Sequence, residues 1–173
     1  MWTEAVDLHS HTTYSDGVAS VRVMAERAAK NGVKVWSLTD NDTAAGWDEA
    51  REEANRLGMR FIPGVEITCE VPLLPEENML DAHQSNPSSW HLLAYFPTPM
   101  DAPEVRKVRA WIAGLTEARG PRMSLMIERL ATFGIHVDEA KVLARAGGAV
   151  GRPHLAAELL EMGVVETFQQ AFD

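Results

Sequence analysis

The sequence predicts an α/β fold assembled from parallel strand–helix–strand units, and three observations carry that prediction. Short apolar runs alternate with helix-patterned segments through roughly the first hundred residues. Polar residues able to do chemistry fall at the carboxyl ends of those runs, where α/β barrels and open α/β sheets build their sites. With 173 residues, 46% apolar and 24% charged, the chain has the make-up of one globular domain with a real core.

The elements follow in order. Ala5–Leu8 reads as a short strand running into the polar stretch HSHTTYSDG. Ser20 is placed to cap a helix carrying Val21, Met24, Ala25 and Ala28 and closing near Gly32. Val33–Leu38 is a second strand, rich in β-branched and aromatic residues. A helix over 43–57 is ended by Gly58; Phe61–Ile67 is a third strand and Trp90–Phe96 a fourth. Between them, 71–89 holds three prolines and no usable period, which predicts a loop or irregular insertion. From Pro103 the pattern turns helical, with Val105, Val108, Ile112 and Leu115 on one stripe, and Gly120-Pro121 should break or kink it. A second helix with Leu125, Met126, Arg129 and Leu130 closes at Gly134, and a third spans 138–146. No internal repeat or low-complexity segment is present.

Composition narrows the function classes. A formal charge of −9 argues against a basic face for gripping duplex DNA, while bound cations would reverse the sign locally for a small phosphorylated substrate. The single cysteine, Cys69, excludes an internal disulfide framework and suits a reducing compartment. No apolar run is long enough to span a membrane, and the start MWTEAVDLHS lacks the features of a signal peptide. The expected location is the cytoplasm.

Asp7-Leu8-His9-Ser10-His11 is the centre of the functional reading. In an extended segment, residues two apart point to the same side, so His9 and His11 can face one metal together. Asp16-Gly17 follows in a loop able to fold back over them. Asp40 ends the second strand, Glu66 the third, His91 opens the fourth, and His154 stands at a predicted helix start after Gly151-Arg152-Pro153. Imidazoles with hard carboxylates and no thiolate suit Mn, Fe or Zn in a multinuclear hydrolytic site, which generates a metal-bound hydroxide and neutralises phosphoryl charge. Plainer roles stay open: Asp40 as a helix cap, Glu66 as the partner of a basic side chain. His83 and His136 receive no role.

DLHSHTTYSDG, SLTDNDT, PGVEIT, WHLLAYF and VGRPHLA, in that order, resemble the motifs of the PHP (polymerase and histidinol phosphatase) superfamily, and more narrowly its branch that hydrolyses nucleotide phosphates and trims RNA from the 5′ end. The resemblance implies a distorted (β/α)7 TIM-like barrel with a two- or three-metal site. It places His9 and His11 on one metal, with Glu66 bridging to a second that His91 and His154 complete. Asp16 would serve a third, and Asp40 would act as a supporting or general acid/base residue, with His9 also counted as catalytic. Arg152, Arg122 and Arg119 are candidate phosphate clamps, each with a solvated surface charge as the alternative.

Two departures from the family pattern bear on this. The family reads TDH where this chain has Thr39-Asp40-Asn41, so a third ion is expected to be held weakly or lost. The family's later AHP-like histidine and SDxH-like pair are not present in this sequence, which stops at Asp173 in what reads as mid-helix. The expectation is therefore a barrel incomplete at its C-terminus, with 1–101 as its first part, 102–149 as a helical insertion and 150–173 as a return to the barrel. The function expected is a metal-dependent phosphoesterase acting on nucleotides or short 5′-phosphorylated oligonucleotides. The alternatives are a histidinol-phosphate-type phosphatase and a non-catalytic phosphate- or nucleotide-binding remnant. An open barrel edge would be covered by the chain's own missing C-terminal segment or by another copy.

Overall fold

The computed structural model describes residues 5–70 and 89–172. Three two-residue strands, β1 (Val6–Asp7), β2 (Val35–Trp36) and β3 (Arg60–Phe61), pair in parallel in that order. The helices α1 (Val21–Lys30) and α2 (Trp47–Arg56) make the crossovers, as the alternating pattern predicts. Ser20 caps α1, its side chain accepting from the Val23 N–H. Val21, Ala25 and Ala28 of α1 meet Ala50 and Ala54 of α2 over Trp36, Leu38 and Met59, forming one core.

The third predicted strand is in fact two pieces. Pro63, which has no N–H for a ladder, separates β3 from β4 (Gly64–Glu70). The fourth, β5 (Ser89–Tyr95), pairs antiparallel with β4, Gly64 opposite Tyr95 and Glu66 opposite Leu93, which corrects the expectation of parallel units throughout. A parallel return needs a crossover of a dozen or more residues, usually a helix, and the proline-bearing sequence before β5 has no helical period. That segment and His83 lie outside the described residues. A parallel bridge between Asn41 and Glu66 joins the segment after β2 to β4. Among the described residues the strands form an open three-stranded and a two-stranded sheet, and no closed barrel.

The helix expected from residue 43 starts at Trp47, because Asp42 takes a left-handed backbone (φ 50°) and the Thr43 hydroxyl accepts from the Ala45 N–H, holding 42–46 in a turn. Asp40 is thus not a helix cap; Gly46 occupies that position.

Gly120-Pro121 does not break the next helix: α3 runs unbroken from Pro103 to Ala131. Its first half buries Val105 and Ile112 against Trp47 and Val65, and its second half buries Met123 and Ile127 in a separate core. Packing on both sides of Pro121 outweighs the one lost hydrogen bond. The second core also takes Val142 of α4 (Glu139–Ala144) and Leu155 and Leu159 of α5 (Arg152–Glu161). The chain's last described residues form a 3₁₀ turn, Gln169–Phe172, instead of the expected continuing helix. None of the described helices is long and apolar enough to cross a membrane.

Candidate metal and phosphate site

A buried polar network fixes the segment after β1. The Ser10 hydroxyl donates to the Ser37 carbonyl (2.9 Å) and accepts from Trp36 Nε1 (3.0 Å), while the Thr39 N–H bonds the Ser10 carbonyl (2.9 Å). Asp40, 1% exposed, accepts the Thr12 N–H (2.7 Å) and Ser15 hydroxyl (2.6 Å) on Oδ1 and the Thr12 hydroxyl (2.7 Å) on Oδ2. Burial pushes its carboxyl above the usual range in spite of these donors. The Asp40 carboxylate thus ties down the loop that carries the chemistry. Gly17 closes that loop: a Cβ there would sit 2.5 Å from the His11 carbonyl carbon. Gly148 is pressed as closely, 2.6 Å from the Tyr14 carbonyl oxygen, so the connection into α5 packs on the same loop.

On this frame His9 and His11 converge with Glu66. Their Nε2 atoms lie 3.0 Å apart, and Glu66 Oε2 is 2.7 Å from His9 Nε2 and 2.9 Å from His11 Nε2. Ligand atoms around one four-coordinate ion stand about 3.4 Å apart, given bonds of about 2.1 Å. The two facing imidazole nitrogens need at least one lone pair between them, and the carboxylate supplies charge. The donor set therefore fits a divalent cation. His91 contacts the other oxygen of Glu66 through Nδ1, leaving that carboxylate shared among three imidazoles. Burial raises the Glu66 carboxyl, but its hydrogen bonds to His9 and His91 outweigh this and hold it below the ordinary range.

Behind His11, its Nδ1 lies 3.1 Å from Asp16 Oδ1, an arrangement that would turn Nε2 towards the cluster. That hydrogen bond holds the Asp16 carboxyl far below its usual range. Asn41 Nδ2 also donates to Asp16 (3.1 Å), while its Oδ1 is buried without a partner among the described residues. His154, buried at N3 of α5, accepts the Gly151 N–H on Nδ1 (3.0 Å) with the Gly151 carbonyl at 3.3 Å. It stands against the Ser15–Asp16 loop, and burial lowers its pKa. The structure thus groups His9, His11 and Glu66, adds His91 through Glu66, and sets Asp16, Asn41 and His154 on a neighbouring pole.

A cleft of about 140 Å³ opens beside this cluster, lined by Asp16, Asn41 and His91 together with Arg119, Arg122 and Arg152. Arg122 and Arg152 are exposed and have no carboxylate partner among the described residues. Arg119 is engaged with Asp42, Thr68 and the Val150 carbonyl. Asp42, Thr12 and Ser15 are the residues sequence reasoning missed. The second aspartate of TDNDT was the visible signal for Asp42, but its partners are remote in the chain.

An α/β frame, a histidine–glutamate cluster and an arginine-lined cleft together define a metal-site protein of the PHP class, and the chain belongs to the PHP domain family, which residues 7–119 match. It is similar to the 5′-3′ exoribonuclease Rnm of Salmonella typhimurium, 33% identical over 169 residues, covering 96% of this chain and 52% of that protein. It is also similar to the phosphoribosyl 1,2-cyclic phosphate 1,2-diphosphodiesterase of Eggerthella lenta, 31% identical over 156 residues, with 88% and 53% covered. Among solved structures, a protein of Bifidobacterium adolescentis assigned as a metal-dependent phosphoesterase superposes with a TM-score of 0.69 at 32% identity, covering 96% of this chain and 53% of that one. The chain spans about half the length of these relatives.

Proposed function

We propose that this chain carries the metal and phosphate face of a phosphoesterase that hydrolyses phosphate esters of nucleotides or short 5′-phosphorylated oligonucleotides. The observation that carries this reading is one cleft lined both by acid and imidazole and by two arginines without a carboxylate partner among the described residues. The relatives named for exoribonuclease and phosphodiesterase activity support it. His9, His11 and Glu66 would hold one ion, and Glu66 with His91 and His154 a second. The mixed nitrogen and oxygen donors suit Mn, Fe or Zn. Bound there, divalent ions supply Lewis acidity and neutralise charge on a phosphoryl group.

The protein's own groups supply the rest. Arg122 and Arg152 bind and orient the phosphate oxygens, with Arg119 closing the wall between them and the cluster. Asp16 keeps His11 turned towards Glu66, and Asp40 keeps the loop closed. Asp40 has no exposed oxygen for substrate, so we place its contribution in positioning. We read 1–101 and 150–173 as parts of a distorted (β/α)7 barrel, 102–149 as its helical insertion, and a reducing cytoplasm as the location.

The test is release of inorganic phosphate from a mononucleotide with Mn²⁺ added, alongside metal content. Turnover that disappears in His9→Ala while the circular dichroism spectrum persists supports the reading. Metal-loaded protein that binds phosphate but releases none favours the non-catalytic reading, towards which Asn41 leans.

A further inference from the structure

We propose that Asp42, which lies in neither the metal cluster nor the cleft lining, is the positioning residue that holds the two in one register. The inference rests on the phosphoesterase reading above. Asp42 is the only side-chain-bearing residue with positive φ among the described residues, at 50° and nearly fully buried. That conformation is uncommon outside glycine and persists only where surroundings over-determine it.

Here the surroundings come from both walls of the site. On the metal side, the Asp42 N–H donates to the Glu66 carbonyl (2.8 Å), and Asp42 Oδ1 accepts the Thr68 N–H (2.8 Å). These bonds grip β4 at the residue whose carboxylate meets His9, His11 and His91. On the cleft side, Asp42 Oδ2 accepts Arg119 Nε (2.9 Å) and Nη2 (2.6 Å), and the Asp42 carbonyl accepts the Thr116 hydroxyl (2.6 Å).

Arg119 is consequently no free clamp. A guanidinium has five N–H donors, and contacts with Asp42, Thr68 and the Val150 carbonyl engage four of them. Its function is to present α3, and with it Arg122 one turn further on, at a set distance from the Glu66 strand. A fold needing adhesion alone would use apolar packing, as α3 does at Val105 and Ile112. A charged, strained residue bonded to both walls does something packing cannot: it sets direction as well as contact.

The experiment titrates Mn²⁺, and then inorganic phosphate into the Mn²⁺-loaded full chain, by calorimetry. Asp42→Asn keeps a residue that tolerates the left-handed backbone but removes the charge facing Arg119. It should weaken phosphate binding by about tenfold, as loss of an outer-shell partner commonly does. Arg119→Lys, which loses the fork, should weaken phosphate similarly, and the double variant should be no weaker than the worse single, because both break one contact. Mn²⁺ affinity should change less than phosphate affinity in both variants, since asparagine keeps the backbone bond to Glu66 and the acceptor for the Thr68 N–H, and Arg119 touches β4 through the Thr68 hydroxyl alone.

Multiplying losses in the double variant, or phosphate affinity within about twofold of the parent in Asp42→Asn, overturn the proposal. If Asp42→Asn fails to fold, Thr116→Val removes one bond to Asp42 and leaves the ion pair; unchanged phosphate affinity there overturns it equally. A parent protein that binds neither Mn²⁺ nor phosphate overturns the phosphoesterase reading and this proposal together. A parent that binds both, with unaffected variants, overturns this proposal alone.

Discussion

Glu66 and His91 lie on neighbouring antiparallel strands, two residues out of register: Glu66 faces Leu93 and His91 faces Thr68, so one face of the pair brings His91 Nδ1 to Glu66 Oε1. The other oxygen of Glu66 is occupied by His9 and His11. One carboxylate therefore serves three imidazoles, His91 through one oxygen and His9 with His11 through the other, as a bridging ligand between two ions would. Glu66→Gln removes the charge from both at once. Mn²⁺ affinity measured by calorimetry should fall by more than about 100-fold, beyond the range for outer-shell partners. A loss below about tenfold would take Glu66 out of the ligand set.

Asp40 supports the site from beneath. Asp40→Ala leaves the Thr12 N–H, the Thr12 hydroxyl and the Ser15 hydroxyl without their acceptor. Unsatisfied buried donors cost about 1–3 kcal/mol each, and relaxation recovers part of that. Urea unfolding should show a loss of about 3 kcal/mol, together with weaker Mn²⁺ binding as the loop loosens. Unchanged stability would mean that the loop is held by other contacts.

Asn41 is the residue at which the number of bound ions can be tested. Its Nδ2 donates to Asp16, and an amide nitrogen has no lone pair for a cation. Asn41→His would place an imidazole beside Asp16. The variant should bind one more Mn²⁺ per chain by elemental analysis, and its thermal midpoint should rise more steeply with added Mn²⁺ than the parent's. Equal stoichiometry in the two proteins would show that the asparagine is not what limits the third position.

The pH dependence of metal binding follows from His11. Burial lowers its pKa, but the Asp16 hydrogen bond and the charges of Asp16, Glu66 and Asp40 outweigh it, leaving it above 6.5 in the metal-free protein. A raised folded-state pKa means the proton stabilises the metal-free fold fully below the unfolded value, and that stability is lost as pH rises through the folded value. A cation must displace this proton. Mn²⁺ affinity should therefore be weaker at about pH 6 than at about pH 8, with proton release on binding greater at the lower pH. Calorimetry in buffers of different ionisation enthalpy measures both, and proton release that does not change with pH would contradict the assignment.

Much of the site was legible in the sequence because its logic is local. Two histidines two residues apart need only a near-extended backbone to face one centre, and Ser20 needs only its own first turn to cap α1. The alternation that predicts parallel strands held for β1, β2 and β3, where each crossover carries its own amphipathic helix. Tertiary structure decided the rest. The antiparallel pairing of β4 with β5 depends on how a segment returns, which periodicity within either strand does not encode. The unbroken course of α3 through Pro121 depends on cores buried on both sides of it, a balance that helix propensity leaves out. Asp42 reads in the sequence as one more turn residue. Only the meeting of β4 and α3, with Arg119 77 residues away along the chain, makes it the joint between the walls of the cleft.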